Sequence, residues 1–372
     1  MKIKKNELKV KVLLLISGSI AAVRIPLLAS ELAKSNFEVK CVISKNAEKI
    51  IQPLALSTLS RNACVLDNDQ WSYHQYKPLH IDLCDWADIL IMAPLTATTL
   101  SKWATGNADG ILSSILIANK KPIIVAPAMN TRMWLNQAVQ KNYSLLKNYP
   151  NTLLLNPSSG RLACDEIGIG KMVSNDLIKL ALNFILIQNK NQKYNDLSDK
   201  NFLITGGGTT EKIDAARNIT NNSSGTMGLL LSQIARFRGA KVKYIHGPLK
   251  NCLQIKEGIE NFKVKTSEEL TNAIKENISN YDFFLMNAAV SDFRVCSDGL
   301  QKIPKKQFKD YLNNNLEIVP DILNEVRKLK KHNQVFVGFC AFSGPIKKAR
   351  NIIQEKMINK GCDLLFANPI DI

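Results

Sequence analysis

Asn130 is the residue whose setting is hardest to explain by packing. It sits in the stretch 127–134 (PAMNTRMW), directly behind an apolar run, with Met133 and Trp134 close after it. Core burial accounts for a Met and a Trp, whereas a primary amide brings two N–H donors suited to a carboxylate. His80, in LHIDL (79–83), carries an imidazole able to move a proton near neutral pH. Cys164, in GRLAC (160–164), offers a thiol, and the following DEIGIG (165–170) reads as a loop able to close over a site. A lone His or Cys is more often structural than catalytic. These two gain weight only from their company. In SGSIAA (17–22), Gly18, Ser19 and Ile20 open a helix behind an apolar run, where free backbone N–H groups suit a phosphate. Such a turn also serves tight packing. Ser44 adds a hydroxyl, and Thr96, Ala97 and Thr98 belong to APLTATT (93–99), a hydroxyl-dense loop suited to a phosphate or ribityl chain.

The second half has its own polar stretches. GGGTTE (206–211) would be a dinucleotide fingerprint only with Gly at 211, where Glu211 stands. RNITNNSSGTMG (217–228) gathers amides and hydroxyls ahead of a helix at Leu229, an anion-receiving arrangement that includes Arg217 and Asn221. NAAVSDF (287–293) carries Asp292, KIPKK (302–306) carries Lys302, and VPDI (319–322) carries Pro320, Asp321 and Ile322. Phe339 precedes a helix with Lys356 and Lys360 spaced i, i+4 on one face. Taken singly, such lysines are solvated surface.

These stretches need a frame that ends apolar strands in polar loops. Short apolar runs at 10–16, 37–44, 89–93 and 122–126 alternate with helical segments, as do runs at 201–205, 242–245, 283–286 and 335–337. Continuous apolar runs of this length suit parallel strands buried on both faces. The expected fold class is α/β, two successive doubly wound Rossmann-like domains with ligands at the carboxyl ends of the strands. The polar, non-periodic stretch 188–200 makes a linker, giving domains 1–190 and 191–372.

Composition narrows the class. At 372 residues, 45% hydrophobic and 22% charged, the chain has material for two ordinary cores. The net charge of +17 raises nucleic acid as a partner, but the lysines are scattered, often beside Asn. A positive field equally suits phosphorylated acids. Eight cysteines without a Cys-x-x-Cys argue against zinc and disulfides and for a reducing compartment. The basic start and apolar 12–23 resemble a signal peptide, yet Ser17-Gly18-Ser19 breaks the run, so a buried first strand and a cytoplasmic location are expected. No stretch is long and apolar enough to span a bilayer.

The 127–134 stretch matches the Pro-x-Met-Asn-x-x-Met-Trp signature of the homo-oligomeric flavin-containing Cys decarboxylases. HIDL (80–83), APLTATT (93–99) and ACDEIGIGKM (163–172) resemble the same family in the same order. The resemblance implies FMN held between neighbouring subunits of a homo-oligomer, with Gly18, Ser19, Ile20, Ser44, Thr96, Ala97, Thr98 and Met133 around flavin and substrate. It implies His80 as base, Asn130 on the substrate carboxylate, and Cys164 as the lid cysteine that carries the product back to a saturated thiol. His74 lacks the Ile-x-Leu context and reads as surface.

The second half resembles phosphopantothenate–cysteine ligase, and the fusion resembles the bifunctional coenzyme A biosynthesis flavoproteins. That resemblance implies CTP-dependent ligation of cysteine to phosphopantothenate through an acyl-cytidylate, with Mg²⁺, followed by decarboxylation to phosphopantetheine. Asn221 matches the asparagine that handles the acyl-cytidylate and Arg217 its upstream partner. Asp292, Lys302, Pro320, Asp321, Ile322, Phe339, Lys356 and Lys360 match CTP-binding positions, Asp292 also as a magnesium ligand. Departures are Thr226 for Lys, Val319 for Asn, Ala215 for Pro and Phe342 for Glu; in the first half Thr98 replaces Asn and Asp165 replaces Gly. Family members commonly continue with a further strand region beyond Ala367-Asn368. These departures motivate an alternative, an active decarboxylase joined to a degraded or regulatory nucleotide-binding domain. Small-molecule substrates, rather than nucleic acid or membrane, are the expected partners.

Overall fold

The computed structural model describes residues 9–72, 76–188, 194–249, 257–296, 301–344 and 346–369. His74 and the middle of the expected linker, 189–193, lie outside the described residues. The chain divides into two compact units, Met1–Tyr194 and Asn195–Ile372.

In the first unit β1 (Lys11–Ile16), β2 (Glu38–Ile43), β3 (Val65–Leu66), β4 (Ile89–Leu95), β5 (Ile123–Pro127) and β6 (Thr152–Leu154) form one parallel sheet in the order β3-β2-β1-β4-β5-β6. In β1, Leu14 is flanked by Cys41 on one side and Ile91 on the other. The order reverses between β1 and β4, so the loops after these strands diverge and open a crevice at their carboxyl ends. The sequence supports this because all seven residues of β4 and all five of β5 are buried. One face packs Leu13, Leu90, Met92 and Val125 against Trp103, Ile111 and Ile115 of the covering helices. Each such aliphatic side chain removed from water contributes roughly 1.5–3 kcal/mol.

After β6, β7 (Ser158–Arg161) and β8 (Ile167–Lys171) form an antiparallel hairpin. The stretch 165–170, expected to be a loop, is thus mostly a strand. Its Ile-Gly-Ile-Gly pattern has a period of two, which is a strand's period. The two glycines lie flat against the chain at 129–131: a Cβ on Gly168 would stand 2.3 Å from Thr131 Oγ1, and one on Gly170 2.1 Å from the Met129 carbonyl oxygen. Ile167 and Ile169 face outward.

The second unit contains β9 (Asn201–Gly206), a hairpin of β10 (Thr210–Lys212) and β11 (Asn218–Thr220), then β12 (Lys241–His246), β13 (Glu260–Lys263) and β14 (Phe283–Met286). A second antiparallel pair, β15 (Phe293–Val295) with β16 (Leu316–Ile318), precedes β17 (Val335–Phe342) and β18 (Leu364–Pro369). The main sheet runs parallel in the order β13-β12-β9-β14-β17-β18. With the hairpin strands set aside, this is the same 3-2-1-4-5-6 winding as the first unit, reversing between β9 and β14. Phe284 and Phe336 meet edge to face at 5.2 Å in its core. All seven described cysteines are free thiols. Among the described residues no helix is long and apolar enough to cross a membrane.

Candidate active sites

At the carboxyl ends of β1 and β4, Ser17 ties two loops together. Its hydroxyl donates to the Pro94 carbonyl at 2.7 Å and to Thr96 Oγ1 at 3.2 Å, and it accepts from the Thr96 amide at 3.0 Å. Ser19, Ser44 and Thr96 each accept a backbone N–H at the start of the helical turn that follows, from Ala21, Ala47 and Thr99. These hydroxyls therefore shape three adjoining helix starts. Gly18 packs against Asn46, Ala97 begins the helix behind Thr96, and Thr98 is exposed on it.

Beside this edge lies a cavity of 380 Å³ whose lining includes Ser19, Ile20, Ala21, Val23, Met129, Asn130 and Cys164. Arg24, Arg161 and Lys171 give it a positive rim. Asn130 caps the short helix Thr131–Trp134, accepting from the Arg132 amide at 2.8 Å. Its Nδ2 donates to Cys164 Sγ at 3.2 Å and to Glu166 Oε2 at 3.3 Å. Glu166 pairs with Arg132 through its other oxygen at 2.7 Å. Cys164 is brought here by the tight turn 162–166, where Asp165 adopts φ 63°. Asp tolerates that left-handed conformation better than most residues, and Arg161 Nε holds its carboxylate at 2.9 Å.

His80 stands apart. It lies on the helix Leu79–Trp86 and lines a different cavity of 750 Å³, with Trp71, Tyr76, Lys77 and Ile117. Trp71 is 80% exposed and Tyr76 fully so. Trp134 is buried edge to face against Tyr143 at 4.8 Å, while Met133 is 48% exposed and lines neither cavity.

In the second unit a cavity of 670 Å³ opens at the carboxyl ends of β9, β14 and β17. Its lining includes Asn221, Asp292, Pro320, Asp321, Ile322, Phe339, Lys356 and Lys360. The helix Thr226–Phe237 aims its N-terminus at this space. Gly225, at φ 74°, makes the turn into it, and a Cβ there would meet Leu249 at 2.2 Å and the Gly207 amide at 3.1 Å. Asn221 donates to the Val290 carbonyl at 2.6 Å, which fixes the amide at the rim. Lys360 lies one residue beyond the helix Ile346–Asn359 and pairs with Asp321 at 3.1 Å, leaving Lys356 as the second cation.

Arg217 and Lys302 do not line that cavity. Arg217 stacks on Phe308 at 4.0 Å, donates to the Ile303 carbonyl at 3.4 Å and pairs with buried Asp214 at 3.5 Å. Burial alone would raise the Asp214 carboxyl. Amides of Ala216, Ile303 and Arg217, together with the Arg217 charge, outweigh it and hold the group below the usual carboxylate range. The pair thereby anchors the 301–308 segment that carries Lys302.

Sequence reasoning gave no role to Glu166, Arg24, Arg161 or Lys171. Glu166 stood in a stretch already singled out, but only the hairpin's fold brings it to Asn130, 36 positions earlier.

Residues 1–185 match the family described as flavoprotein, and residues 197–372 the family described as DNA/pantothenate metabolism flavoprotein C-terminal domain. The coenzyme A biosynthesis bifunctional protein CoaBC of Vibrio vulnificus is 32% identical over 363 residues, spanning 97% of this chain and 87% of that protein. The chain belongs to this family. The CoaBC protein of Borreliella burgdorferi is 34% identical over 363 residues, covering 96% of this chain and 89% of that one. Among solved structures, a PPC decarboxylase mutant complexed with pantothenoylaminoethenethiol is 35% identical over 48% of this chain and all of that one, with a TM-score of 0.45. As a CoaBC-family member the chain is a bifunctional enzyme of coenzyme A biosynthesis, a flavoprotein with a decarboxylase and a ligase domain. The motif resemblance and the family assignment agree across the whole chain.

Proposed function

We propose that the second unit joins cysteine to phosphopantothenate with CTP, and that the first unit decarboxylates the resulting phosphopantothenoylcysteine to phosphopantetheine with FMN. The observation that carries the reading is the contact of Asn130 with Cys164 at the mouth of an apolar cavity. It joins an amide able to hold a carboxylate to a thiol able to return a proton.

The donor set fits a flavin. Ile20, Ala21, Val23, Ala128 and Met129 offer an apolar wall for a ring system, beside hydroxyl-bearing helix starts suited to a phosphate tail. When bound, FMN supplies a two-electron store, drawing on the cysteinyl side chain and returning the pair later. The residues do the rest. His80 takes the proton released as the thiol becomes a thioaldehyde, Asn130 orients the carboxylate whose bond electrons flow toward sulfur as CO₂ leaves, and Cys164 gives a proton to the enethiolate. Because His80 lines a different cavity from Asn130 and Cys164, we place the complete site between subunits of a homo-oligomer. Met133, exposed beside Asn130, supports the substrate from the same edge.

In the second unit, Asn221 steadies the acyl-cytidylate while the cysteine amine displaces CMP. Phe339, Pro320 and Ile322 wall the nucleotide, and Lys356, Lys360 and the N-terminus of the helix Thr226–Phe237 receive its phosphates, with Lys302 approaching from the 301–308 segment outside the cavity lining. Arg217 acts through the 301–308 segment. Among the described residues of the cavity lining, Asp292 is the carboxylate with no ion pair, whereas Asp321 caps a helix and pairs with Lys360. Among the described residues no cluster of three metal-ligating side chains exists. That fits a Mg²⁺ ion carried mainly by triphosphate and water with one protein carboxylate. The positive charge serves these anionic small molecules in the cytoplasm rather than nucleic acid.

The test is a mass-spectrometric assay with phosphopantothenate, cysteine, Mg²⁺ and CTP. Phosphopantetheine is the expected product. No ligation, with decarboxylation of supplied phosphopantothenoylcysteine intact, would instead favour a degraded second unit, the reading that Val319 on the cavity wall keeps in view.

A further inference from the structure

Glu166 lies outside the roles assigned above, yet it touches two of the residues that carry them. Its Oε2 accepts from Asn130 Nδ2 at 3.3 Å and lies 3.9 Å from Cys164 Sγ, while Oε1 pairs with Arg132 at 2.7 Å. A primary amide has two N–H bonds on nitrogen. Asn130 gives both to the hairpin, one to Cys164 and one to Glu166. Its Oδ1 is committed to the Arg132 amide, so the group cannot rotate to free a donor without losing the helix cap. A substrate carboxylate on Asn130 therefore has to displace a hairpin group already there, the Cys164 thiol or the like-charged Glu166 carboxylate.

We propose that Glu166 is a positioning residue that competes with the substrate carboxylate for Asn130 and so times the arrival of Cys164. This rests on the decarboxylase reading above. While the substrate keeps its carboxylate, Asn130 is occupied, and Glu166 falls back on Arg132. Departure of CO₂ converts the bound molecule from a carboxylate to an enethiolate with no group for Asn130. Glu166 then returns to the amide and brings with it Cys164, two residues away in the same tight turn. The electron pair taken from the substrate returns as a hydride equivalent, Cys164 supplies one proton to carbon, and the proton that His80 took from the substrate thiol returns to sulfur, so the product leaves as the saturated thiol. Proton delivery before CO₂ loss is disfavoured because the substrate carboxylate and the hairpin that carries Cys164 draw on the same two N–H groups of Asn130. The hairpin stays docked throughout, since the Met129 amide donates to the Gly170 carbonyl at 3.0 Å independently of Glu166.

The test uses the full-length, FMN-loaded protein and phosphopantothenoylcysteine, reading CO₂ release and the ratio of saturated to unsaturated thiol. In Glu166→Ala the competitor is gone, so KM falls by about 2- to 10-fold, the worth of one exchanged hydrogen bond. The same variant shifts product toward the unsaturated thiol, as Cys164→Ser does. Glu166→Gln, which keeps length and one acceptor, lies between the two, and it stands in if the Ala variant fails to retain flavin. A residue that merely stabilises the fold would raise KM or lower CO₂ release and leave the ratio alone. That pattern, or a wild-type ratio in both variants, overturns the proposal. Absence of CO₂ from the wild-type protein would instead sink the decarboxylase reading itself.

Discussion

Asn130 and Trp134 sit four residues apart in one motif, yet one faces a cavity and the other a core. Core burial accounts for the Trp from sequence alone, and the edge-to-face contact with Tyr143 agrees with it. Asn130 was legible because no core accommodates a free amide without partners. What the sequence could not supply was its partners, which arrive through a turn whose geometry depends on Asp165 holding φ 63°. At this scale the decisive prediction concerns Cys164. If its thiol returns the proton, Cys164→Ser continues to release CO₂ and accumulates an unsaturated thiol together with reduced flavin, visible as lost absorbance near the flavin band. Normal saturated product from that variant would remove Cys164 from the chemistry. Two thiols elsewhere in the first unit, buried Cys84 and half-buried Cys64, are no substitute. Burial pushes Cys84 up to about 11, with the Asp85 charge adding to it, and pushes Cys64 up to about 12, with Asp69 and Glu48 adding.

At the scale of elements, the strands were the most legible part, because β4 and β5 are apolar along their whole length and only a doubly covered parallel sheet buries such runs. The hairpin was not. Its second strand, five residues long, alternates Ile with Gly, and the reason for glycine lies in a neighbour remote in sequence. Gly170 has φ 155° and no room for a methyl, since a Cβ would press on the Met129 carbonyl oxygen, a backbone atom unable to swing aside. Gly170→Ala is expected to break the Met129–Gly170 hydrogen bond and cost about 1–3 kcal/mol by overpacking, read as a lower thermal midpoint. The same variant should share the unsaturated product of Cys164→Ser, because the hairpin carries that cysteine. An unchanged midpoint and product would mean the hairpin docks through its side chains alone. In the second unit the equivalent case is Arg217, which the motif pairs with Asn221 at the acyl-cytidylate and the structure stacks on Phe308. Its neighbours in space, Asp214 and Ile303, are separated by 89 positions, a relation no local pattern reveals.

For the whole molecule, two units with the same strand order carry different chemistry because different loops leave the same sheet ends. The division predicts separable activities. If Asn221 steadies the acyl-cytidylate as proposed, Asn221→Asp places a charge there and is expected to reduce ligation at least about 10²-fold, as loss of one transition-state donor does. Decarboxylation of supplied phosphopantothenoylcysteine should be spared; equal loss of both would mean that the units do not act independently.

The separation of His80 from Asn130 and Cys164 leads to a further whole-molecule test. Each set lines its own cavity in the first unit, and exposed apolar residues accompany both, Trp71 and Tyr76 near His80, Ile20 and Val23 near Asn130. An apolar rim of this kind is what a subunit contact covers. If one subunit lends His80 to the Asn130 of the next, His80→Asn and Asn130→Ala are each inactive as decarboxylases when pure. Co-expressed and co-purified, they form mixed oligomers in which some interfaces pair an intact His80 with an intact Asn130. Those interfaces should turn over, so activity returns to a fraction set by the mixing ratio, and flavin remains bound in all three preparations. No recovery at any ratio, with mixed oligomers demonstrated by tagged pull-down, would put the base and the amide to work within a single chain.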